Sequence, residues 1–161
     1  MKKKLCLIIH NVRSAYNVGS IFRTADAAGV KKIYLTGYTP APHIREENPY
    51  FTQSQKMIKK TALGAENLVA WEKIDKIGSL IKKLKSRKFS VISLEQNEKS
   101  ADFRKFKYSF PCALILGNEI SGISQGILKV SDKIIAIPMR GGKESLNVTV
   151  AAGIAIYEIL K

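Results

Sequence analysis

Short apolar runs alternate along the chain with longer segments in which apolar residues recur at helical spacing. An apolar run of about 4–8 residues between turn signals is typical of a buried strand, and apolar residues three or four apart are typical of an amphipathic helix. The predicted strands occupy residues 5–9, 32–36, 89–94, 112–116 and 134–137. Strands that alternate with helices in this way predict an α/β fold with a mostly parallel sheet.

Helical spacing is clearest just after the first predicted strand. There Val18, Ile21, Phe22 and Ala25 fall on one face of a helix that Gly29 is placed to end. Polar, glycine-rich or proline-rich segments between the periodic ones are predicted to be loops. Further helices are predicted over residues 57–65, 74–84 and 146–160, and the main loops over residues 11–17, 38–50 and 139–144.

The length of 161 residues and the 45 % of hydrophobic residues fit one globular domain, which we predict to cover residues 1–161. A membrane-spanning helix is not expected, because the longest nearly apolar run, residues 148–157, has about half of the roughly 20 residues that a span needs. The lysines at positions 2–4 precede only five apolar residues, fewer than the roughly 7–15 of a secretory signal. We therefore predict a cytoplasmic protein.

Cysteine and histidine are too sparse and too scattered to predict a metal centre. Cys6 and Cys112 each lie inside an apolar run, which is typical of buried, reduced thiols. His10 and His43 are far apart in the sequence, and no CxxC pair is present. A site made of carboxylates stays possible on composition, but no pattern requires one, so we predict no metal.

The formal net charge of +14 favours a polyanionic partner. The basic excess is spread over both halves of the chain rather than gathered in a tail, so it belongs to the folded surface. Such a surface attracts nucleic acid, and no strongly amphipathic helix points to a membrane instead. A lysine-rich proteome would give the same charge without a function.

Three loops follow predicted strands and carry polar residues at close spacing. In parallel α/β sheets, ligands bind beyond the carboxyl ends of the strands, so these loops are the candidate site. Each loop also has a purely structural interpretation: Asn17 as a helix N-cap, Arg23 paired with Asp26, and Ser145 as the cap of the last helix. The loops comprise residues 17–24, 116–122 and 137–147.

Familiar nucleotide and hydrolase signatures are missing from these loops. No GxGxxG follows the first strand, and Gly141-Gly142-Lys143 lacks the spacing of a phosphate-binding P-loop. No GxSxG is present either, and neither histidine falls in a candidate loop. The sequence therefore gives no support to a dinucleotide site, a nucleoside triphosphatase or a serine hydrolase.

Taken together and in order, the three segments resemble the motifs of the SpoU (TrmH-like) family. They read NVRSAYNVGSIFRTADAAGV, LILGNEISGIS and IAIPMRGGKESLNVTVAAGIAIYE, and they extend over nearly the whole chain. Members of that family are S-adenosylmethionine-dependent RNA ribose 2′-O-methyltransferases of the SPOUT superfamily. The resemblance implies a Rossmann-like sheet with a C-terminal deep trefoil knot, which is a rare exception to the rule that chains do not thread loops.

The resemblance also implies a set of catalytic residues. The family's motif-one arginine corresponds to Arg23, which would activate the ribose 2′-hydroxyl, and Asn17 would position Arg23 or the ribose. Glu119 would hydrogen-bond the substrate or neighbouring side chains. Ser145 and Asn147 would complete the polar wall of the site.

A cofactor pocket for S-adenosylmethionine is implied in the knot region, with no metal. Members of the family are homodimers whose knot regions pack together, so that motif one of one subunit approaches the cofactor of the other. The apolar segment 148–160 suits such an interface, although a buried core helix explains it as well. The cofactor-binding residues carried over are Leu94, Gly117, Asn118, Ile137, Met139, Ser145 and Leu146.

The RNA target is left open between tRNA and rRNA. Many members carry an N-terminal RNA-binding extension, whereas here the first strand is predicted to begin at about Leu5. We therefore expect no such extension. The target RNA is then expected to be selected by the basic surface or by a partner. Two rival functions are a non-catalytic RNA-binding or ribosome-assembly protein and a base-nitrogen methyltransferase; the arginine and the SLN segment disfavour the second. Eight basic residues are candidate contacts to RNA phosphates, and the alternative is that they form a charged surface that contacts only solvent. They are Lys82, Lys83, Lys85, Arg87, Lys88, Arg104, Lys105 and Lys107.

Overall fold

The computed structural model describes residues 3–44 and 48–161, which form a sheet with helices on both faces. The strands are β1 (Leu5–His10), β2 (Lys32–Thr36), β3 (Trp71–Ile74), β4 (Ser90–Leu94), β5 (Ala101–Asp102), β6 (Cys112–Leu116) and β7 (Lys133–Ala136). The helices are α1 (Ala15–Ala28), α2 (Gln53–Ala62), α3 (Ala65–Leu68), α4 (Ile77–Ser86), α5 (Gln125–Val130) and α6 (Val148–Leu160).

The sheet has the order β3-β2-β1-β6-β4-β7-β5, and every pairing between its strands is parallel. The predicted α/β class with a mostly parallel sheet is therefore confirmed. Two strands interrupt the sequential order, since β6 lies between β1 and β4, and β7 lies between β4 and β5. The carboxyl ends of β6, β4 and β7 are consequently neighbours, although their sequences are far apart. The C-terminal trefoil knot stays a prediction.

The central strand β6 supplies apolar side chains to both faces of the sheet. Cys112, Leu114 and Leu116 face the core that α1, α2 and α6 cover. Ala113 and Ile115 face the second core, which α4 and α5 cover. All five residues are buried, as expected for a parallel strand covered by helices on both sides.

The sheet also explains why the two cysteines stay apart. Cys6 of β1 and Cys112 of β6 belong to neighbouring strands, but Cys6 contributes to the second core and Cys112 to the first. Both thiols are free and buried, as predicted. Burial raises the pKa of both thiols, and that of Cys112 reaches about 12, so neither is a reactive thiolate at neutral pH.

Several predicted elements differ from those observed. The strands β3 and β5 and the helix α5 were not predicted, and the expected helix 57–65 is two helices, α2 and α3. The chain breaks between them because Leu63 and Gly64 adopt positive φ values of 51° and 94°. The predicted helix 74–84 is shifted to α4, because residues 71–74 pair with β2. No helix within residues 3–44 and 48–161 is long and apolar enough to cross the membrane.

The helices α1 and α2 pack closely at a glycine. Gly19 is buried in α1, and a Cβ at this position would overlap the Thr61 hydroxyl and the Ile58 carbonyl oxygen of α2. The Thr61 hydroxyl also donates a 2.9 Å hydrogen bond to the carbonyl of Tyr16. The glycine therefore lets the two helix backbones approach each other, and this contact fixes the orientation of the helix that carries Asn17 and Arg23.

We expect Gly19→Ala to lower the free energy of unfolding by about 2 kcal/mol, because the added methyl group overpacks a backbone contact. Gly78→Ala is the matched control: Gly78 also lies in a helix, and a Cβ there would meet nothing within 4 Å. It should raise the free energy of unfolding by about 0.5 kcal/mol, since alanine favours helix. Urea denaturation of both variants measures the difference, and equal effects would contradict the close contact.

Candidate functional site

A cavity of about 220 Å³ lies at the carboxyl ends of β4, β6 and β7. These three ends contribute Leu94, Leu116 and Ala136 to its wall, and the start of α6 closes it with Val148 and Ala151. The cavity lies where ligands bind in parallel α/β sheets, beside the strands that break the sequential order. The predicted cofactor residues all line it: Leu94, Gly117, Asn118, Ile137, Met139, Ser145 and Leu146.

Hydrogen bonds join the loops that form the cavity. The Glu95 carboxylate accepts a 2.7 Å bond from the Ile123 N–H, and the Gln96 side chain donates a 2.6 Å bond to the Ile137 carbonyl. Sequence reasoning missed Glu95 and Gln96, which line the cavity as well. Their position directly after Leu94, at the end of a predicted strand, was the signal that could have identified them.

The Asn118 side chain is saturated with hydrogen bonds inside the protein. Its amide nitrogen donates to the Asn11 carbonyl and to the Tyr38 hydroxyl, both at 2.9 Å. Its amide oxygen accepts from the Ile120 and Ser121 N–H groups. Asn118 therefore shapes the turn after β6, and its backbone adds to this role by pairing with the N–H and carbonyl groups of Gly122.

Glu119 connects the turn after β6 to the first turn of α1. Its carboxylate accepts bonds from the Arg13 N–H at 3.0 Å, the Ser14 N–H at 3.1 Å and the Asn17 side-chain amide at 3.1 Å. The Ser14 hydroxyl caps the same helix by accepting from the Asn17 N–H. A carboxylate next to the free N–H groups of a helix N-terminus is electrostatically favourable.

The hydrogen bonds keep Glu119 ionised. Burial raises the pKa of its carboxyl group, but the N–H groups of Arg13, Glu119 itself and Ser14, together with the Asn17 amide, lower it by more. The net pKa lies below the ordinary value of glutamate. Glu119 is thus a fixed negative charge at the cavity rim, and Asn17 is held against it.

Arg23 lies on the exposed face of α1 and does not line the cavity. Within the described parts of the chain, its side chain forms no ion pair, so the alternative pairing with Asp26 is not observed. The helix α6 packs beside α1, with Gly153 near the Thr24 methyl group. The structure therefore places Arg23 outside the cavity.

Ser145 and Asn147 have different positions. Ser145 is exposed and lines the cavity, whereas Asn147 is the N-cap of α6 and accepts a 2.8 Å bond from the Thr149 N–H. The alternative in which Ser145 caps this helix is wrong, because Asn147 occupies the capping position. Asn147 does not line the cavity, so its predicted place in the polar wall is not seen.

A metal centre has no ligand set in the described ranges 3–44 and 48–161, where no three His, Cys, Asp or Glu side chains are grouped suitably. His10 lies at the end of β1, where its ring bonds the Thr36 hydroxyl at 2.8 Å and the Asn11 amide at 3.1 Å. Burial, aided by the charge of Lys73, lowers the His10 pKa. This imidazole is therefore neutral at pH 7 and joins the ends of β1 and β2.

The candidate phosphate contacts fall into two groups. Lys85 pairs with Asp132 at 2.6 Å, and Arg104 pairs with Asp102 at 2.6 Å. The hydrogen bonds from Arg104 hold the Asp102 pKa at about 2, so that pair is charged at neutral pH. The other candidates are exposed and form no ion pair within the described chain: Lys82, Lys83, Arg87, Lys88, Lys105 and Lys107.

Comparison with known proteins identifies relatives over nearly the full chain. The model of the SpoU rRNA Methylase family matches residues 4–157. A tRNA (guanosine(18)-2′-O)-methyltransferase of Aquifex aeolicus is 35 % identical over 98 % of this chain and 69 % of its own length. The Escherichia coli K12 protein of the same name is 30 % identical over 96 % of this chain. This chain spans only 62 % of the length of that relative.

Solved structures of RNA methyltransferases also match the fold of this chain. The AdoMet-bound rRNA methyltransferase of Sinorhizobium meliloti superposes with a TM-score of 0.85 at 26 % identity, covering 99 % of this chain and 56 % of the other. A structure described as giving insights into the 2-OH methylation of C/U34 on tRNA superposes with a TM-score of 0.79 at 25 % identity. That match covers 98 % of this chain and 94 % of the other.

We expect Glu119→Gln to lower the free energy of unfolding by about 1 kcal/mol at neutral pH, because the amide keeps the shape but removes the charge facing the α1 N-terminus. The folded pKa of Glu119 lies below its unfolded value. Its stabilisation should therefore be complete above about pH 5 and should disappear as the pH falls through the folded pKa.

Urea denaturation of both proteins across that pH range measures this difference. Glu98→Gln is the control, because Glu98 is exposed and its side chain forms no hydrogen bond within the described residues. It should change stability by less than about 0.5 kcal/mol. A stability gap for Glu119→Gln that does not depend on pH would contradict the role of its charge.

Proposed function

The chain belongs to the SpoU rRNA Methylase family of S-adenosylmethionine-dependent methyltransferases, and we propose that it methylates a ribose 2′-hydroxyl in tRNA or rRNA. The observation that carries this proposal is the cavity at the carboxyl ends of β4, β6 and β7, with Glu119 at its rim and Asn17 bonded to Glu119. The cavity suits the cofactor. Glu119 connects the rim of the cavity to the start of α1, the helix that carries Arg23. The names of the tRNA 2′-O-methyltransferase relatives support the ribose as the target.

The cavity residues fit S-adenosylmethionine by their chemistry. Apolar side chains such as Leu116, Ile137 and Met139 give flat walls for an adenine ring, and Gly117 brings the backbone of the turn after β6 to the cavity wall. The fixed charge of Glu119 favours a cation nearby. When bound, the cofactor supplies an electrophilic methyl group on a positively charged sulfur.

Arg23 is proposed to act on the ribose oxygen. A neutral hydroxyl is a weak nucleophile, so its proton must leave as it attacks. A guanidinium stays protonated and cannot serve as an ordinary base. Arg23 therefore stabilises the developing negative charge on the 2′-oxygen, or it orients an RNA phosphate that accepts the proton.

Glu119 is proposed as a positioning residue and not as the base. Its lowered pKa makes the carboxylate a weak base, and three N–H groups already occupy its oxygens. The carboxylate instead fixes the start of α1 against the turn after β6. This contact sets the distance between Asn17 and the cofactor cavity, and alignment of the reactants is a large part of such catalysis.

A second copy of the chain is proposed to complete the site. The exposed face of α6 carries Val150, Ile154 and Tyr157, of which Tyr157 is 57 % exposed, and Leu146 continues the stripe. Apolar side chains in such an array favour a protein interface. Because α6 packs beside α1, covering this stripe with a second subunit would bring Arg23 of one subunit near the cavity of the other.

We expect the purified protein to bind S-adenosylmethionine in EDTA, because backbone groups and apolar walls suffice to hold it. Isothermal titration calorimetry measures this binding. Gly117→Val is the matched negative control, since its side chain would overlap the Gly122 backbone and displace the wall of the cavity. Folded wild-type protein that shows no binding at about 1 mM cofactor would contradict the proposed activity and favour a non-catalytic RNA-binding protein.

Arg23→Ala should reduce single-turnover methyl transfer about a hundredfold or more, because one preorganised charge contact is lost. Arg23→Lys should be impaired as well, since an ammonium lacks the planar fork. Cofactor binding should stay unchanged in both variants. Asp26→Ala is the control and should retain full activity, and near-normal turnover by Arg23→Ala would refute the role of the arginine.

Mixed dimers test whether Arg23 acts across subunits. Arg23→Ala and Gly117→Val should each be inactive alone. Random mixing should restore about a quarter of the wild-type activity, because half of the dimers would combine one intact cavity with one intact arginine from the other subunit. An unrestored mixture of folded, exchanging dimers would show that both residues act within one subunit.

A further inference from the structure

Tyr38 is an exposed aromatic residue next to the cofactor cavity. It lies two residues beyond the end of β2, at the edge of the parallel sheet where the cavity also lies. Tyr38 is 58 % exposed, yet its hydroxyl accepts a 2.9 Å hydrogen bond from the side-chain amide of Asn118. Asn118 lines the cavity. The exposed ring is therefore one hydrogen bond away from the cavity wall.

Hydrogen bonds hold Tyr38 at both ends. Its backbone N–H donates to the Asn11 side-chain oxygen at 3.2 Å, and the Asn118 amide that bonds its hydroxyl also donates to the Asn11 carbonyl. Gly37 leaves room for this contact, because a Cβ there would overlap the Asn11 side-chain oxygen. Since β1 lies between β2 and β6, the Tyr38 side chain extends from the end of β2 past β1 to the turn after β6. A ring held in this way loses little conformational freedom when it binds a ligand.

A lysine ammonium lies beside the backbone of Tyr38. Lys73 of β3 donates 2.6 Å hydrogen bonds to the carbonyls of Gly37 and Thr39, the two residues that flank Tyr38. A positive charge and an exposed aromatic ring are thus fixed next to each other. Sites for single-stranded RNA combine these two features, because a base stacks on the ring while the cation attracts the phosphate backbone.

We propose that the Tyr38 ring is the surface on which an unpaired base of the RNA substrate stacks at the rim of the cofactor cavity. RNA as the ligand rests on the proposed function. Every base has a flat π face, so a contact of this kind contributes affinity and position rather than base identity. Tyr38 therefore fixes the RNA strand next to the cavity, and Lys73 attracts a phosphate of the same strand.

The test compares two heptamers of ribose phosphate, one wholly abasic and one with a single central adenine. Both carry the same phosphates, so the difference between their affinities measures the contacts of the base alone. Isothermal titration calorimetry with the full chain measures both affinities. The adenine should tighten binding about tenfold, as expected for one stacked base. Equal affinity for the two heptamers, or no binding of either, overturns the proposal.

Tyr38→Leu should abolish the preference for the heptamer with adenine, because leucine offers no π face. Tyr38→Phe keeps the ring and should retain the preference within about threefold. Tyr50→Leu is the matched control, since Tyr50 is 77 % exposed and its side chain forms no hydrogen bond within the described residues. It should retain the full preference. A preference that survives Tyr38→Leu, or that falls equally in Tyr50→Leu, overturns the proposal.

A purely structural role of Tyr38 predicts a different result. Tyr38→Phe and Tyr38→Leu both remove the hydroxyl that accepts from Asn118. If that bond were the only role of Tyr38, both variants would melt at a lower temperature while the preference for adenine stayed unchanged. Size-exclusion chromatography tests whether a second copy of the chain covers the ring. A changed oligomeric state with an unchanged preference overturns the proposal, as does the purely structural result.

Lys73→Gln should weaken the binding of both heptamers about threefold or more, because one charge near the phosphates is lost. The ratio between the two affinities should stay the same, since the ring remains. Lys133→Gln is the control: Lys133 is exposed at the start of β7, at the opposite edge of the sheet. It should have a smaller effect, and equal effects of the two substitutions would contradict an RNA strand beside Tyr38.

Parallel calorimetry with S-adenosylmethionine separates this inference from the proposed methyl transfer. Neither heptamer has to be methylated for its affinity to be measured. Cofactor binding without a preference that depends on Tyr38 overturns this inference alone. A preference that depends on Tyr38 in a protein that binds no cofactor supports this inference and contradicts only the methyl transfer.

Discussion

The burial of β6 on both faces of the sheet is the constraint on which the rest of the molecule depends. This strand lies between β1 and β4, although it follows both in sequence, and its five residues are fully covered. Because a parallel strand can be covered on both sides only by helices, α1, α2 and α6 must pack on one face and α4 and α5 on the other. The turn that leaves β6 then emerges between the loops of its neighbours, and the cavity forms there.

Most of the fold could be predicted from apolar periodicity, and the failures have physical causes. The strand β3 has the charged Glu72 and Lys73 between Trp71 and Ile74, so it lacks both an apolar run and the alternation that identify a strand. It forms because it pairs with the edge of β2, a long-range contact. The helix α5 is six residues long, too short for a periodicity to be recognised.

The sequence predicts which loops form the candidate site, but it does not predict the separate role of each side chain in those loops. The motif resemblance implied seven cofactor-binding residues, and all seven line one cavity. It also implied that the side chains of Asn118 and Asn147 belong to the site in the same way as the residues beside them. In the structure both amides serve the local backbone, Asn118 in a turn and Asn147 at a helix cap. Side-chain partners of this kind depend on three-dimensional geometry, which sequence spacing alone does not specify.

The contact between Glu119 and α1 has a consequence for how this protein can vary. Two of the three groups that donate to the carboxylate are backbone N–H groups, those of Arg13 and Ser14. Every residue except proline has such a group, so the side chains at these positions can diverge while the connection persists. The side chain at position 119, in contrast, must remain a carboxylate for the contact to form. The loop between β1 and α1 is thereby free to acquire new surface chemistry, and with it new targets, without loosening the catalytic core.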